Sequence, residues 1–331
     1  MGEMRLDPTT MTWVISGEEA NKTKNHSHDC PFCPGNEGMT TPAICEVREN
    51  GNWRARVFPD INPVFRIEYN EDREAEWMYD RMKNCGAHEI VVDHPSHGVS
   101  LPAMEEGAIA CALEVYAKRI EDLKNDKRMK HVLLFKNEGE FTGSGIRHSH
   151  THLVATPIIP KRIEQEMRWA HHHYARKERC LFCDMVRQEL GAGVRIAAEN
   201  RAFVALCPFA SRFPYETWIF PKTHCHAFES AMKAEDERYL LSGIIRHITA
   251  GIGAITPHYH MVLHNSPNEK ARFLNGDGKT LREDFHWHME ILPLLREVKR
   301  FNWEEEFFVN PVRPEDAAGV LKGGNVYEMV R

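Results

Sequence analysis

The sequence predicts an α+β fold made of two copies of one unit, each with an antiparallel sheet and flanking helices. A CxxC pair occurs in each half of the chain, at Cys30 and Cys33 and again at Cys180 and Cys183. The same order then follows each pair: strands, a histidine, a long helix, a strand and alternating histidines. Self-similarity of this kind indicates a duplicated unit with two antiparallel sheets.

The composition is that of an ordinary globular protein. The 331 residues are 42% hydrophobic and 27% charged. A chain of this length is long enough for two hydrophobic cores. We therefore expect an N-terminal domain at 1–165 and a C-terminal domain at 166–331. The sequence has neither a run of roughly 18 apolar residues nor a signal-peptide pattern, so we expect a cytoplasmic protein without a membrane partner. A net charge of −6 argues against a nucleic-acid partner.

The first half contains polar, apolar and glycine-rich stretches in turn. Residues 1 to about 28 are polar and turn-rich and predict an arm. Alternation and β-branched residues predict strands in WRARVFPDINPVF and HEIVVDHPSH. Helical spacing predicts a helix from Met104 to about Lys124, followed by a buried strand in HVLLFKN and a glycine-rich turn from Glu138 to Gly145.

The second half repeats this order after a polar helix predicted at about 160–177. Paired strands are predicted in RAFVALCPFASRFPYETWIFPK, a helix at about 235–251 and a strand in HYHMVLHNS. HWHMEI then supplies the second set of alternating histidines. The tail contains a short helix that begins at Pro314 and Glu315.

Cysteine and histidine spacing predicts metal sites. Nine cysteines, four of them in CxxC pairs, favour thiolate ligands in a reducing compartment. A closed tetrahedral zinc site takes about four such ligands. The first half offers Cys30, Cys33, His97 and His148, with His94 as a competitor of His97, and the second half offers Cys180, Cys183, His224 and His286. The alternative is that the cysteines are reduced thiols without a metal.

Other histidines carry weaker signals. Adjacent helical residues point about 100° apart, so His171, His172 and His173 predict a solvated helix face rather than one metal site. His264, beside Asn265, and Glu166 are further candidates for a metal in the second half.

The segment RHSHTHL places His148, His150 and His152 on one face of an extended strand. Neutral imidazole attacks phosphorus well near pH 7, which makes His150 a candidate nucleophile. A backbone carbonyl beside its other nitrogen would leave one lone pair for the substrate. Glycines before the strand allow backbone amides to approach phosphate oxygens; this turn comprises Gly139, Gly143, Ser144 and Gly145. The alternative is a solvated histidine strand without chemistry.

These motifs together resemble the galactose-1-phosphate uridylyltransferase branch of the histidine-triad superfamily, with its sugar-nucleotide phosphorylase relatives. The resemblance spans nearly the whole chain. It rests on CPFCPGNE, HEIVVDHPSHGVSLPAM, LFKNEGEFTGSGIRHSHTHL, RFPYETWIFPKTH, HWHMEILP and NPVRPEDAA.

The resemblance implies a duplicated histidine-triad fold and double-displacement transfer of a nucleoside monophosphate, UMP in the uridylyltransferase type, from a nucleotide sugar to a hexose 1-phosphate. His150 matches the nucleophile, and His97 rather than His94 matches the zinc histidine. Asn137 and Asp60 match nucleotide-contacting positions. It further implies zinc at both cysteine–histidine sets and a homodimer.

Three departures from the family pattern bear on the acceptor. His152 stands where the transferases carry Gln and the small hydrolases carry His. Asp60 replaces an Asn, and the tail reads Glu304-Glu305-Glu306 where relatives contact the hexose. Three functions follow: sugar-phosphate transfer, phosphorolysis or hydrolysis of a nucleotide derivative, and zinc-stabilised nucleotide binding without catalysis.

Overall fold

The computed structural model describes residues 2–17, 30–143, 145–272, 279–295 and 307–323. Over these residues the strands are β1 (Glu3–Asp7), β2 (Thr12–Ser16), β3 (Cys45–Glu49), β4 (Asn52–Pro59), β5 (Arg73–Glu76), β6 (Tyr79–Lys83), β7 (Ala87–Val92), β8 (His131–Glu138), β9 (His150–Thr156), β10 (Ile196–Glu199), β11 (Phe203–Leu206), β12 (Thr217–Pro221), β13 (Tyr259–His264) and β14 (His288–Pro293). The helices are α1 (Glu106–Leu123), α2 (Lys161–Lys177), α3 (Leu181–Ala192), α4 (Phe228–Ala231), α5 (Glu235–Gly253), α6 (Leu281–Asp284) and α7 (Pro314–Leu321).

The predicted α+β class, with two antiparallel sheets and flanking helices, is confirmed. One sheet has ten strands in the order β3-β4-β7-β9-β8-β13-β14-β12-β11-β10, and the other has four in the order β2-β1-β6-β5. All of their strand pairs are antiparallel. The division of strands between the sheets differs from the prediction, because the five-stranded halves of the chain join edge to edge.

The large sheet repeats one strand order in both halves. Read from the centre, the first half runs β8, β9, β7, β4, β3 and the second runs β13, β14, β12, β11, β10. The two halves meet where β8 pairs with β13, with Leu134 opposite Leu263. Corresponding strands therefore lie on either side of an approximate twofold axis.

The two faces of the large sheet have different roles. Helices α1 and α5 cover one face, and their buried residues, such as Leu113 and Ile245, share a core with strand residues of both halves, such as Leu153 and Met289. The other face of the first half carries His150 and the alternating histidines. The predicted division after residue 165 stays a prediction.

The predicted N-terminal arm is wrong for the described residues 2–17. These residues form the hairpin β1–β2, and β1 pairs with β6. Its fully buried Met4 packs with Met82, Phe65 and Val154 of β9. A short polar hairpin is stable here because the neighbouring sheet buries its few apolar side chains. Helix α3, which begins directly after Cys180 and contains Cys183, was also not predicted.

None of the helices in the described ranges combines the length and the apolarity that a membrane span requires.

Gly86, the residue before β7, tests the packing of the strands that carry the site. Its φ is +151°, and a Cβ atom there would overlap the carbonyl oxygen of Ala155. We expect Gly86→Ala to lower the free energy of unfolding by roughly 1–3 kcal/mol, measured by urea denaturation. Gly191→Ala in α3 is the control, because Gly191 has open space and φ outside the left-handed region; it should be neutral or stabilising by about 0.5–1 kcal/mol. Equal effects of the two substitutions would contradict this account.

Candidate active site and metal centres

The first cysteine–histidine set converges at one end of β9. The donor atoms of Cys30, Cys33, His97 and His148 all lie within 4.8 Å of one another. Cys33 Sγ is 3.6 Å from Nδ1 of both histidines, and Cys30 Sγ is 3.6 Å from His148 Nδ1. Phe32 anchors the cysteine turn in a small apolar cluster with residues of β4 and β7.

The second set has the same arrangement in the other half. Cys183 Sγ lies 3.3 Å from His224 Nδ1 and 3.4 Å from His286 Nδ1, with Cys180 alongside. A hydrogen bond from Cys180 is the largest cause that lowers the pKa of Cys183 to about 3, and the two histidines act in the same direction. A thiolate at neutral pH is the form that binds a metal.

The donor geometry of both sets fits a tetrahedral metal ion. Bond lengths of about 2.3 Å to sulfur and 2.0–2.1 Å to nitrogen place tetrahedral S and N donors about 3.6 Å apart. The Sγ–Nδ1 distances are 3.3 to 3.6 Å. His148 Nε2 and His224 Nε2 lie 2.7 and 2.8 Å from the carbonyl oxygens of His94 and Arg282. Donation from Nε2 to these carbonyl oxygens leaves the Nδ1 lone pair for the metal. Metal-bound histidines usually donate their other ring N–H to such a partner.

The structure separates His94 from His97. The ring of His97 faces the cysteines, whereas His94 Nδ1 accepts a hydrogen bond from the Ser96 amide at 3.0 Å. The backbone carbonyl of His94 orients His148 instead. His94 therefore belongs to the support of the cluster rather than to its donor set.

The candidate nucleophile His150 is buried and held by its own strand. Its Nδ1 lies 2.7 Å from the carbonyl oxygen of His148, the bond that the sequence analysis expected. Donation from Nδ1 leaves the Nε2 lone pair free for attack. Burial, and next the charge of Lys136, lowers the pKa of His150 to about 4. The imidazole is consequently neutral near pH 7.

A buried ion pair fixes the backbone of β9 from the opposite face. Lys136 Nζ lies 2.9 Å from Asp93 Oδ2, 2.7 Å from Ser149 Oγ and 3.0 Å from the carbonyl oxygen of His150. The hydroxyl of Tyr116, on α1, donates to Asp93 at 2.5 Å. Burial alone would lower the pKa of Lys136, but Asp93 outweighs it and the pKa is raised. The lysine therefore keeps its charge and pairs with Asp93.

The counterpart of His150 in the second half is His288. It repeats the bond to the preceding histidine, with Nδ1 3.2 Å from the carbonyl oxygen of His286. It is more deeply buried than His150, with an exposed fraction of 0% against 6%. Its ring packs against those of Phe182, Trp218 and Phe220. Three aromatic rings therefore cover His288 among the described residues.

His264 and Glu166, the further candidates in the second half, do meet. His264 Nδ1 lies 3.0 Å from both carboxylate oxygens of Glu166. His288 and Glu290 complete a buried group whose donor atoms lie within 4.8 Å of one another. Asn265 is separate from this group, because its amide bonds Glu229 at 2.8 Å.

His88, which was not predicted as a site residue, lies between His152 and Asp60. His88 on β7 places Nε2 3.0 Å from His152 Nδ1 and Nδ1 3.5 Å from Asp60 Oδ2. The three side chains form a continuous chain beside His150, whose ring centre is 5.2 Å from that of His152.

Asn137 and the glycine-rich turn lie at the junction of the two halves. Asn137 Oδ1 accepts a hydrogen bond from His260 Nδ1 at 2.7 Å. Gly139 has φ +88°, and a Cβ there would overlap His258 and Pro257 of the second half. Only glycine permits this close approach of the two halves.

Of the other residues of the glycine-rich turn, the structure describes Gly143 and Gly145. Gly143 has φ +80° and open space around its Cα, and Gly145 is exposed. Ser144 and the acidic segment Glu304-Glu305-Glu306 lie outside the described residues.

The histidine run on α2 does not converge on one point. His171 Nδ1 lies 2.9 Å from Thr280 Oγ1, and His173 Nε2 lies 3.1 Å from Asp184 Oδ2. His172 is exposed. The predicted solvated face therefore describes His172, while its neighbours contact adjacent elements.

The sequence contains signals for some of the site residues that were not predicted. His286, His288 and Glu290 alternate and so share one face of a strand. Lys136 lies within a strand predicted to be buried, and a buried lysine requires a paired charge. Asp93 and His88 gave no local signal, because strand pairing alone brings them to β8 and β9.

The chain is similar to known proteins along almost its whole length. Residues 4–160 match the galactose-1-phosphate uridyl transferase N-terminal domain. The chain is 27% identical to ADP-glucose phosphorylase of Arabidopsis thaliana, over 97% of this chain and 92% of that protein. It is 28% identical to galactose-1-phosphate uridylyltransferase of Thermotoga maritima, over 97% and 98%. The crystal structure of the Arabidopsis phosphorylase with bound ADP-glucose superposes with a TM-score of 0.77 at 25% identity, covering 98% of this chain and all of that one.

The duplicated fold, the buried neutral histidine and these relatives define an enzyme of the nucleotidyltransferase class. Its relatives match it over nearly their whole length. Residues 4–160 match the N-terminal domain of the galactose-1-phosphate uridylyltransferase family, and the whole chain is similar to members of that family and to a phosphorylase relative.

The ion pair beneath β9 gives a stability prediction. Lys136→Met leaves the Asp93 carboxylate buried without its cation, so we expect the free energy of unfolding to fall by about 3–5 kcal/mol. Urea denaturation followed by circular dichroism measures this. The double variant Lys136→Met with Asp93→Asn removes both charges and should recover part of the loss. Additive losses in the double variant would contradict the pairing.

Proposed function

We propose that this enzyme transfers a nucleoside monophosphate, UMP in the first instance, from a nucleotide sugar to a hexose 1-phosphate through a nucleotidyl-His150 intermediate. The observation that carries the proposal is His150, a buried neutral imidazole whose Nδ1 is held by a backbone carbonyl. This tautomer presents Nε2 as the nucleophile. A covalent intermediate splits one phosphoryl exchange into two easier steps.

In the first step His150 Nε2 attacks the α-phosphorus, and the bond to the leaving sugar phosphate breaks with its electrons on that phosphate. In the second step the acceptor phosphate attacks the same phosphorus and Nε2 regains its lone pair. Asp60, Asn137, Gly143, Ser144 and Gly145 are the proposed nucleotide contacts. Backbone amides of the glycine turn would stabilise the charge that develops on the phosphoryl oxygens, and His152 is the proposed second catalytic residue.

A phosphorylase or hydrolase of nucleotide sugars or dinucleotides is the second candidate, with inorganic phosphate or water as the acceptor. Two observations favour it: the similarity to the Arabidopsis ADP-glucose phosphorylase, and His152 in contact with His88. In that case the nucleobase of the donor can also differ from uracil. A nucleotide-binding protein without catalysis is the third candidate, and the labelling experiment below separates it from the other two.

We further propose zinc as the metal of both sets, two ions per chain. Cys30, Cys33, His97 and His148 would hold one ion in the N-terminal domain, 1–165. Cys180, Cys183, His224 and His286 would hold the other in the C-terminal domain, 166–331. Bound zinc would fix the ligands in space, and the four protein ligands leave no position for a substrate. A cytoplasmic homodimer is the proposed form of the enzyme.

The covalent step is tested by donor-only labelling. The protein is incubated with α-32P-labelled UDP-glucose or ADP-glucose without an acceptor, and we expect acid-labile label on His150. His150→Ala should remain unlabelled, whereas the exposed His172→Asn should label like the wild type. Release of the label by hexose 1-phosphate or by inorganic phosphate identifies the acceptor. A wild-type protein that neither labels nor turns over any nucleotide sugar would refute the proposal.

The metal proposal is tested by chelation. Because binding energy at closed sites contributes to folding, we expect chelation to lower the melting temperature before it lowers the labelling rate. Elemental analysis should give two zinc ions per chain, with one lost in Cys30→Ser and the other in Cys180→Ser. A reversible loss of activity at constant melting temperature would show that a metal acts at an open catalytic position instead.

A further inference from the structure

Asn137 and His260 face each other where the two halves of the large sheet meet. They are direct partners in the register of β8 and β13, and His260 Nδ1 lies 2.7 Å from Asn137 Oδ1. A residue of the first half is thus joined to a residue of the second by a short side-chain hydrogen bond. His260 itself takes no part in the two transfer steps.

Asn137 lies beside the nucleophile on the face of the sheet that carries the histidines. Phe135 of β8 is opposite His152 of β9. Asn137 comes two residues after the first of these, and His150 comes two residues before the second. In antiparallel strands this spacing keeps the side chains on one face and places their strands about 5 Å apart. The Asn137 amide is therefore next to the position where His150 meets a phosphorus atom.

The hydrogen bond to His260 decides which end of the Asn137 amide faces the site. An asparagine amide has one oxygen, which accepts hydrogen bonds, and one nitrogen, which donates two. Because Oδ1 accepts from His260, Nδ2 lies on the other side of Cγ and directs its N–H groups away from the second half. Ionised phosphoryl oxygens accept hydrogen bonds and cannot donate them, so this orientation of the amide is the one that fits the substrate.

His260 can hold this orientation because its ring is neutral. Burial lowers the pKa of His260, so the ring carries a single proton near pH 7. That proton lies on Nδ1 while Nδ1 donates to Asn137. The donor and acceptor roles of both side chains are thereby fixed together.

A neighbouring contact between the halves supports the glycine-rich turn. A Cβ atom on Gly139 would overlap His258 Nδ1, and the ring of Phe141 lies 4.0 Å from that of His258. The turn whose backbone amides are proposed phosphate contacts is therefore packed against the second half. Residues 257–260 contact both this turn and Asn137.

We propose that His260 is a positioning residue for nucleotidyl transfer, contributed by the second half, which holds Asn137 so that its amide donates to a phosphoryl oxygen of the substrate. The inference rests on the proposed nucleotidyl-His150 intermediate. As His150 attacks, negative charge develops on the phosphoryl oxygens, and a donor that is oriented in advance stabilises this charge. His260 does not contact the substrate, and no proton moves to or from it in either transfer step.

The experiment measures the single-turnover rate at which α-32P-labelled UDP-glucose or ADP-glucose labels His150. His260→Leu and His260→Ala remove the donor, and we expect each to slow labelling at saturating donor roughly 100-fold. The donor concentration that gives half the maximal rate should change less than about threefold, because the amide acts mainly in the transition state. His260→Asn has an amide nitrogen at the position of Nδ1, so it should keep the rate within about tenfold of the wild type.

A double variant shows whether His260 acts through Asn137. Asn137→Ala alone should slow labelling by a similar factor. Adding His260→Leu to Asn137→Ala should then slow it little further, because the amide that His260 orients is already absent. Effects that multiply in the double variant, or an unchanged rate in His260→Leu and His260→Ala, would overturn the inference.

Controls separate loss of folding from loss of positioning. The exposed His172→Asn should label like the wild type, and the melting temperature and zinc content of each variant report on folding. Slow labelling that His260→Asn does not restore, in a folded protein, would also overturn the role of the hydrogen bond. These results leave the labelled wild type intact, whereas a wild type without labelled His150 would overturn the inference together with the proposed function.

Discussion

The buried ion pair between Lys136 and Asp93 is the interaction on which the site depends. It holds Ser149 and the carbonyl oxygen of His150 from beneath the sheet, and it fixes which face of β9 points towards the helices. Because side chains alternate along a strand, the histidines are then confined to the opposite face. One end of that face approaches the first cysteine–histidine set, and the other end approaches His88 on β7 and the N-terminal hairpin.

The two halves of the chain repeat this geometry, but the side chains around it differ. The bond from the middle histidine to the preceding carbonyl is present in both halves. In the second half three aromatic rings enclose His288, and its neighbours are carboxylates. The same backbone arrangement in the second half is thus part of a buried polar group. The difference between the two halves lies in side chains and not in the fold.

The parts that could be predicted from the sequence are those with a local signal. Periodicity located α1, α5 and the strands around them, and the spacing of Cys30, Cys33 and His148 identified a donor set. The hairpin β1–β2 was not predicted, because its stability comes from burial of Met4 against residues distant in the chain. The same reason explains why the sequence did not predict that the two halves join edge to edge or that His88 approaches His152. Each depends on pairing between strands far apart in the chain, which no local pattern encodes.

The pairing of β8 with β13 has an evolutionary meaning. Equivalent strands meet antiparallel across an approximate twofold axis, which is the geometry of an isologous contact between identical subunits. A single ancestral copy would expose β8 as an edge strand, and such an edge readily pairs with another copy of itself. The ten-stranded sheet thus has, within one polypeptide, the symmetry of a dimer of identical units. Within one chain the two halves can differ in sequence, and the second half, through His260 and His258, lies against Asn137 and the glycine turn of the first.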